Sequence, residues 1–181
     1  NGIIQDGLDG IYIMTNRWDD GSETLIPIEV FKRCYENAGI SKERCTNMLI
    51  RASVYYKEYI SINKSGNPIF KKKKIPGTLY ASILFPPNLN YKRKTDTNPN
   101  HPIVEIENGI LLSNSGPLCK KIVGAKANSV VHLLFIEYSP DEALRFLSDC
   151  QQIVDHWLPN HGFFMGIEDC FEKKTEEDNK T

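Results

Sequence analysis

The sequence predicts an α+β domain, in which a small strand cluster with a hairpin about Asn108-Gly109 is flanked by several helices. Helical apolar spacing with capping residues occupies the first and last thirds of the chain. Short apolar runs bounded by glycine and proline occupy the middle, and Asn-Gly is the strongest short hairpin signal that a sequence carries. At 181 residues the chain is long enough for one domain with its own hydrophobic core.

The first third of the chain is predicted to be helical. Apolar residues at helical spacing predict a helix over residues 3–15, and the polar run 19–22 predicts a turn. A second helix is predicted over residues 27–37. A third is predicted over residues 42–57, with Ser41 as its N-cap.

The middle third is predicted to hold the strands. Residues 59–62 fit a short strand, and the apolar run 79–85, bounded by glycine and proline, fits a buried strand. Residues 91–102 are polar and rich in proline and asparagine, which predicts a solvent-exposed loop. Residues 104–112 are expected to fold as the hairpin, and residues 118–123 as the next strand.

The final third is predicted to be helical again. Residues 129–138 are almost wholly apolar, so that periodicity alone leaves helix and strand both open there. Ser139 is an N-cap followed by proline at the first helical position, and an apolar stripe continues to Leu158. Pro159 and Gly162 are expected to end this helix.

Composition narrows the possible function classes. The hydrophobic content of 40% and the charged content of 25% are ordinary for a globular domain. The net charge of −1 argues against a surface built throughout for nucleic acid, but basic residues cluster at 71–74, 92–94 and 120–121. No apolar run approaches the roughly 20 residues of a membrane helix. The chain shows no signal peptide and begins with Asn, which indicates a piece of a longer protein.

The cysteines and histidines predict no metal site and no disulfide scaffold. The five cysteines are an odd number without a C-x-x-C pair, which is typical of reduced thiols in an intracellular protein. His156 and His161 are five residues apart with Pro159 between them, so they share no helix face. His132, within an apolar run, is interpreted as a hydrogen-bonded core histidine.

The segment Pro117-Leu-Cys-Lys-Lys-Ile-Val-Gly124 carries the most informative pattern. If it is a strand, alternation directs Lys120 and Lys121 to opposite faces, so that one face presents a cation in an apolar setting. Such a cation could line a passage for polyanions. A solvated lysine pair is the alternative, and the spacing alone favours it.

Six short elements in collinear order carry a family resemblance. Residues 2–15 are similar to G-I-V-Q-D-x-L with a trailing K-x-T or M-T, and residues 68–85 to K-P-x-P-L-W-T-G-K-Q-I-x-S. Residues 104–124 are similar to V-x-E-N-G-E-L followed by G-x-L-C-K-K-x-x-G. Residues 131–169 carry V-H, I-Q-x-V-x-x-W-L and G-F-x-x-G-I-x-D elements. In these elements the chain resembles the pore domain, the third domain, of the largest subunit of multisubunit DNA-directed RNA polymerases.

The chain also departs from this family pattern. Gly77-Thr78-Leu79 stands where the family has G-K-Q, which puts any contact of that lysine in doubt. Residues 35–66 look longer and more helical than their cellular counterpart. The divergent, Lys- and Asn-rich character suggests a large cytoplasmic DNA virus as the source.

The resemblance implies a domain division and a role. Residues 1–167 would be the pore domain, and residues 168–181 the truncated, flexible start of the following funnel region. The intact subunit would be a DNA-directed RNA polymerase, and this part of it would form the wall of the pore, or secondary channel. Nucleotides would enter through this channel, and the 3′ end of backtracked RNA would be extruded into it. The catalytic Mg²⁺ would be held by an aspartate-rich loop outside this chain, so the fragment alone is expected to hold no catalytic residue, metal or cofactor and to be inactive.

The resemblance also implies site residues and partners. Lys120 and Lys121 would line the channel and face phosphates, and Gln5 and Asp6 would support the active-site wall. A helix cap or first-turn charge is the favoured alternative for Asp6. The partners would be other polymerase subunits, nucleoside triphosphates, the RNA 3′ end, the DNA template and a transcript cleavage factor, with no membrane. The location would be intracellular: host cytoplasm and virion if viral, nucleus if cellular and eukaryotic.

Two other function classes remain open from the residues. The first is a free-standing module of the same fold that binds nucleic acid or another protein. The second is a thiol enzyme that uses Cys119 beside the lysines, which would need a depressed thiol pKa.

Overall fold

A computed structural model confirms the α+β architecture. It describes the backbone of residues 5–95 and 102–177 and the side chains of residues 7–95 and 102–159. The helices are α1 (Gln5–Thr15), α2 (Ile28–Asn37), α3 (Lys42–Ala52), α4 (Gly77–Ala81), α5 (Lys120–Val123), α6 (Val130–Leu133) and α7 (Pro140–Glu177), with a 3₁₀ turn at Ser82–Leu84 and a π-helical turn at Leu134–Tyr138. The strands are β1 (Leu25–Pro27), β2 (Ile60–Ile62), β3 (Pro68–Phe70), β4 (Lys74–Pro76), β5 (Tyr91–Lys94), β6 (Ile103–Glu107) and β7 (Ile110–Leu111).

The strands form three small antiparallel sheets. β1 pairs with β4, and β2 pairs with β3, each as a two-stranded ribbon. β5, β6 and β7 form a three-stranded sheet with β6 in the centre. Such short ribbons are marginal alone, so their stability depends on packing against the helices.

The β6–β7 hairpin confirms the prediction made from the Asn-Gly dipeptide. Asn108 and Gly109 have φ angles of 49° and 71°, the two positive values that a type I′ turn requires. A Cβ atom on Gly109 would lie 2.3 Å from the Pro86 carbonyl oxygen, so the site needs glycine for space as well. The Asn108 side chain donates to the Tyr55 hydroxyl over 2.8 Å, and Arg51 Nε donates to the Asn108 carbonyl over 3.2 Å.

Helix α7 is the central element of the packing. It contacts α1, α2 and the 3₁₀ turn, and its residues Phe146, Cys150, Ile153 and Val154 are fully buried. A Cβ atom on Gly10 of α1 would lie only 2.3 Å from Val154 Cγ1, so the two helices are in tight contact at this glycine.

Buried tyrosines link the helices through hydrogen bonds. The Tyr80 hydroxyl donates to the Ile153 carbonyl of α7 over 3.0 Å, and the Tyr35 hydroxyl donates to the Tyr80 carbonyl. The Tyr56 hydroxyl donates to the Leu111 carbonyl over 2.5 Å. Burial raises the pKa of each of these tyrosines, so all three stay neutral donors at physiological pH.

The predicted strand over residues 79–85 is wrong, since α4 and the 3₁₀ turn occupy this segment. Every residue from Ile75 to Phe85 is buried, so the segment has no polar face to reveal its period. The Ser82 hydroxyl donates to the Thr78 carbonyl over 2.8 Å, a bond within one helical turn. The buried location was predicted correctly, and only the backbone conformation differs.

Three further predictions of local structure need correction. The polar run after Tyr91 is strand β5 rather than a loop, and residues 96–101 lie outside the described part. The predicted strand 118–123 is wrong, because Leu118 and Cys119 lie outside any strand and Lys120–Val123 form the single helical turn α5. The third helix ends at Ala52 instead of continuing to residue 57, because turns follow it.

The last third is helical, as predicted, but it extends further. Residues 129–138 are resolved as α6 and the π-helical turn. Ser139 Oγ accepts a hydrogen bond from the Glu142 N–H over 3.2 Å, which confirms the N-cap. The expected end at Pro159 and Gly162 is wrong, because the backbone of α7 stays helical to Glu177. A proline inside a helix removes one backbone bond and kinks the helix without necessarily ending it.

Candidate channel-facing site

The segment Pro117–Gly124, here called the lysine turn, carries two lysines next to two buried aliphatic residues. Lys120 is exposed and Lys121 is half-buried, whereas Ile122 and Val123 are fully buried. The predicted alternation of the lysines across a strand is wrong, because both lie on the one-turn helix α5. The buried aliphatic pair fixes the backbone, so the ammonium groups extend from a rigid base.

The lysine turn is attached to α1 by a buried threonine. The Leu118 N–H donates to Thr15 Oγ1 over 2.9 Å, and the Thr15 hydroxyl donates to the Ile11 carbonyl over 2.7 Å. Thr15 is 2% exposed, so a broken bond here would leave a buried amide without a partner. Thr15 belongs to the M-T element of the sequence, which gave no indication of this structural role.

Strand β5 holds the other side of the lysine turn. Arg93 Nη1 donates to the Lys121 carbonyl over 3.5 Å and to the Ala127 carbonyl over 3.2 Å, and the Tyr91 hydroxyl donates to the Asn128 carbonyl over 2.9 Å. The basic run 92–94 therefore lies near the lysine pair, although the two are far apart in sequence. Arg93 has a structural role there, since its guanidinium binds main-chain carbonyls.

The basic run 71–74 is separate from this site and has local partners. Lys71 Nζ donates to the Lys57 carbonyl over 3.0 Å. Lys72 Nζ lies 3.7 Å from a Glu58 carboxylate oxygen and 4.7 Å from the centre of the Tyr59 ring. All four lysines of the run are exposed, so these contacts are those of a solvated surface.

The structure tests the prediction made for His132 but not those made for Gln5 and Asp6. Gln5 and Asp6 lie in the first turn of α1, and their side chains are outside the described part, so their role at an active-site wall stays a prediction. His132 is exposed rather than in the core, which corrects that expectation. Its Nδ1 accepts from the Asn128 N–H over 3.0 Å, so it is hydrogen-bonded as predicted.

The described cysteines are free thiols. They are Cys34, Cys45, Cys119 and Cys150. Burial raises the pKa of Cys45 to about 11 and that of Cys150 to about 12, so both stay protonated at neutral pH. Within the described side chains, no group of three or more histidine, cysteine or acidic residues could hold a metal ion.

A cleft of about 660 Å³ lies beside the lysine turn and was not predicted from the sequence. We call it the aromatic cleft; its described lining residues are Tyr12, Asn16, Arg17, Trp18, Asp19, Thr95, Pro102, Pro117 and Cys119. The sequence held one signal for it. Trp18 is an aromatic residue within a run that is otherwise polar, a position that packing in a core does not explain.

The described residues 5–95 and 102–177 include no helix that is both long and apolar enough to cross a membrane.

Comparison with known proteins relates this structure to transcription. The chain is 36% identical, over 87 residues, to the DNA-directed RNA polymerase II subunits RPB1-A and RPB1-B of Trypanosoma brucei brucei. The aligned segment covers 46% of this chain and 5% of each relative, so the chain spans only a small part of their length. Residues 1–170 match the family described as RNA polymerase Rpb1, domain 3. Because this match covers most of the chain, the protein belongs to the family of the third domain of Rpb1, the largest RNA polymerase subunit.

Proposed function

We propose that the chain forms part of the pore wall, or secondary-channel wall, in the largest subunit of a DNA-dependent RNA polymerase. The match of residues 1–170 to Rpb1 domain 3 is the observation that carries this proposal. Nucleoside triphosphates enter past this wall, and the 3′ end of backtracked RNA is extruded along it. The assignment of the source to a large DNA virus stays a prediction.

The lysine turn supports the proposed role because its chemistry suits passing phosphates. Lys120 and Lys121 sit on a base fixed by Thr15 and Arg93. Focused positive potential raises the local concentration of anions without any sequence preference. A lysine is a mobile point charge, so it attracts phosphate without clamping it as a bidentate arginine does. Lys120 is the more exposed of the two and is the better candidate for the channel face.

In this role the chain does not itself carry the residues that catalyse nucleotidyl transfer. Nucleotidyl transfer uses two metal ions that stabilise the attacking and leaving oxygens. The sequence contains no N-A-D-F-D-G-D-like segment, so we assign the Mg²⁺-binding aspartates to another part of the subunit. Gln5 and Asp6 would support the wall of that active site from the start of α1. We expect the isolated chain to catalyse nothing.

The proposal also assigns partners and a location. The partners are other polymerase subunits, nucleoside triphosphates, the RNA 3′ end, the DNA template and a transcript cleavage factor. The site of action is intracellular, in the nucleus for a cellular eukaryotic enzyme and in host cytoplasm and virion for a viral one.

Charge removal in the intact polymerase tests the proposal. The double variant Lys120→Ala/Lys121→Ala is expected to slow cleavage of backtracked transcripts by about tenfold, because focused charge changes encounter with polyanions on this scale. Elongation at saturating nucleotide is expected to change much less. The difference should shrink as salt concentration rises, because salt screens exposed charge.

A matched control removes the same charge from another element. Lys73→Ala/Lys74→Ala replaces two exposed lysines at the β1–β4 ribbon and is expected to leave cleavage and elongation unchanged. Unchanged pausing, backtracking and cleavage in the Lys120/Lys121 variant at several salt concentrations would contradict the proposal.

A further inference from the structure

Two large aromatic side chains in the aromatic cleft are only partly covered by the described chain. Tyr12 on α1 keeps 42% of its surface exposed, and Trp18, just beyond α1, keeps 39%. The uncovered ring surface of both side chains opens into one cleft, where it is available to a flat ligand. The cleft volume of about 660 Å³ is of the size that holds a small planar ligand or one nucleotide.

A planar cation lies in the same cleft. Arg17 Nη2 donates to Glu23 Oε2 and to the Ser113 carbonyl, each over 3.1 Å, so the guanidinium is held in place. Its side chain nevertheless stays 47% exposed. A fixed guanidinium and aromatic rings are the groups on which nucleobases stack without sequence preference.

Two residues that line the cleft are followed or preceded in the chain by an exposed lysine. Cys119 forms part of its wall and directly precedes Lys120, while Thr95 forms another part and directly follows Lys94. Asp19 also lines the cleft, so a phosphate is disfavoured there and favoured on the side of the lysine turn. The arrangement therefore suits a ligand with a flat uncharged part and an anionic part.

We propose that the aromatic cleft is a stacking site for a base of single-stranded RNA, whose phosphates lie along Lys120 and Lys121. Tyr12 and Trp18 provide the ring faces, and Arg17 provides a flat cation beside them. Stacking on Trp18 holds one base, while the lysines attract the backbone irrespective of sequence. The inference rests on the proposed function, since the extruded RNA strand is the ligand that would reach this site.

Binding of a short fluorescent oligoadenylate to the 181-residue chain, followed by anisotropy, tests the proposal. Trp18→Ala is expected to raise the dissociation constant by about tenfold, the usual loss of one aromatic–base stack. Trp18→Phe keeps a ring face and is expected to stay within about threefold of the wild type. Phe135→Ala removes an aromatic side chain that is 56% exposed but does not line the cleft, and it is expected to change nothing.

Two further measurements separate stacking from charge and from misfolding. Inorganic polyphosphate has charge without bases, so the wild type and Trp18→Ala are expected to bind it equally. Trp157 is only 3% exposed, so RNA should quench mainly the emission of Trp18, and the remaining Trp157 emission reports a folded core in Trp18→Ala.

The outcomes distinguish the inference from the proposed function. If Trp18→Ala binds RNA as tightly as the wild type while Lys120→Ala/Lys121→Ala binds it more weakly, the stacking site is overturned. The proposed pore role then remains intact. If neither Trp18→Ala nor Lys120→Ala/Lys121→Ala weakens RNA binding, both the stacking site and the role of the lysines in the proposed function are contradicted. A tenfold loss in Trp18→Ala that is absent with polyphosphate and rescued by Trp18→Phe supports the stacking site.

Discussion

At the scale of single residues, the candidate site depends on one buried hydroxyl. Thr15 accepts from the Leu118 N–H and donates to the Ile11 carbonyl, so it satisfies both groups where α1 ends and the lysine turn begins. Valine has nearly the same shape but carries no hydroxyl. The residue thus separates the effect of hydrogen bonding from the effect of packing.

We expect Thr15→Val to lower the free energy of unfolding by about 1–3 kcal/mol, because it leaves the buried Leu118 amide without an acceptor. Denaturant unfolding of the 181-residue chain measures this change. Thr15→Ser keeps the hydroxyl and should lose clearly less. Equal stability of Thr15→Val and the wild type would show that this bond does not anchor the lysine turn.

The sequence indicated which lysines to examine at the candidate site, but not how the fold arranges them. The resemblance to the polymerase family identified Lys120 and Lys121, but their orientation could not be predicted, because α5 is a single turn set by its buried neighbours. Tyr12 and Trp18 were missed for a related reason. A sequence shows that a residue is aromatic, but whether its ring stays exposed depends on which elements pack around it.

At the scale of elements, the α1–α7 crossing determines where the site is placed. Gly10 lets α1 approach α7 so closely that an added Cβ would lie 2.3 Å from Val154 Cγ1. Real Cβ atoms do not tolerate that separation, so one helix or the valine must move. Since the lysine turn is attached to the end of α1, a shift of α1 would also displace the lysines.

Gly10→Ala is therefore expected to destabilise the fold by about 1–3 kcal/mol through overpacking, despite the better helix propensity of alanine. Thermal or denaturant unfolding measures the effect. Val154→Ala alone should also destabilise by opening a cavity.

The double variant Gly10→Ala/Val154→Ala is the control for this crossing. Removing the valine methyl groups makes room for the new Cβ, so the double variant should be more stable than the sum of the two single losses predicts. If the stability loss of the double variant equals the sum of the two single losses, the two residues do not compete for the same space.

The elements themselves show which features a sequence can specify. The Asn108-Gly109 hairpin and the Ser139 cap were predicted correctly, because each follows a rule about neighbouring residues. The segment 79–85 was predicted as a strand and is helical, because burial on every side removes the polar period that distinguishes the two. The end of α7 was misplaced at Pro159, since the local rule cannot anticipate a helix that continues past a proline.

At the scale of the whole molecule, the fold joins elements that are distant in sequence at one surface. Thr15 joins the end of α1 to the lysine turn, and Arg93 joins strand β5 to it. Arg93 and Tyr91 also bind the carbonyls of Ala127 and Asn128, just after the turn. This surface carries the lysine pair and the aromatic cleft side by side. The resemblance located the lysines on the chain, and the fold shows what surrounds them.

In the proposed role, this surface faces RNA extruded into the polymerase pore. The most direct test places a photo-crosslinking amino acid at Lys120 in the intact polymerase, halts transcription, and compares backtracked complexes with active ones. We predict crosslinks to the extruded 3′ segment of backtracked RNA and their loss when the 3′ end returns to the active site. The same probe at Lys73 should not crosslink in either state. Absence of a crosslink from position 120 in verified backtracked complexes would contradict the proposed role of this surface.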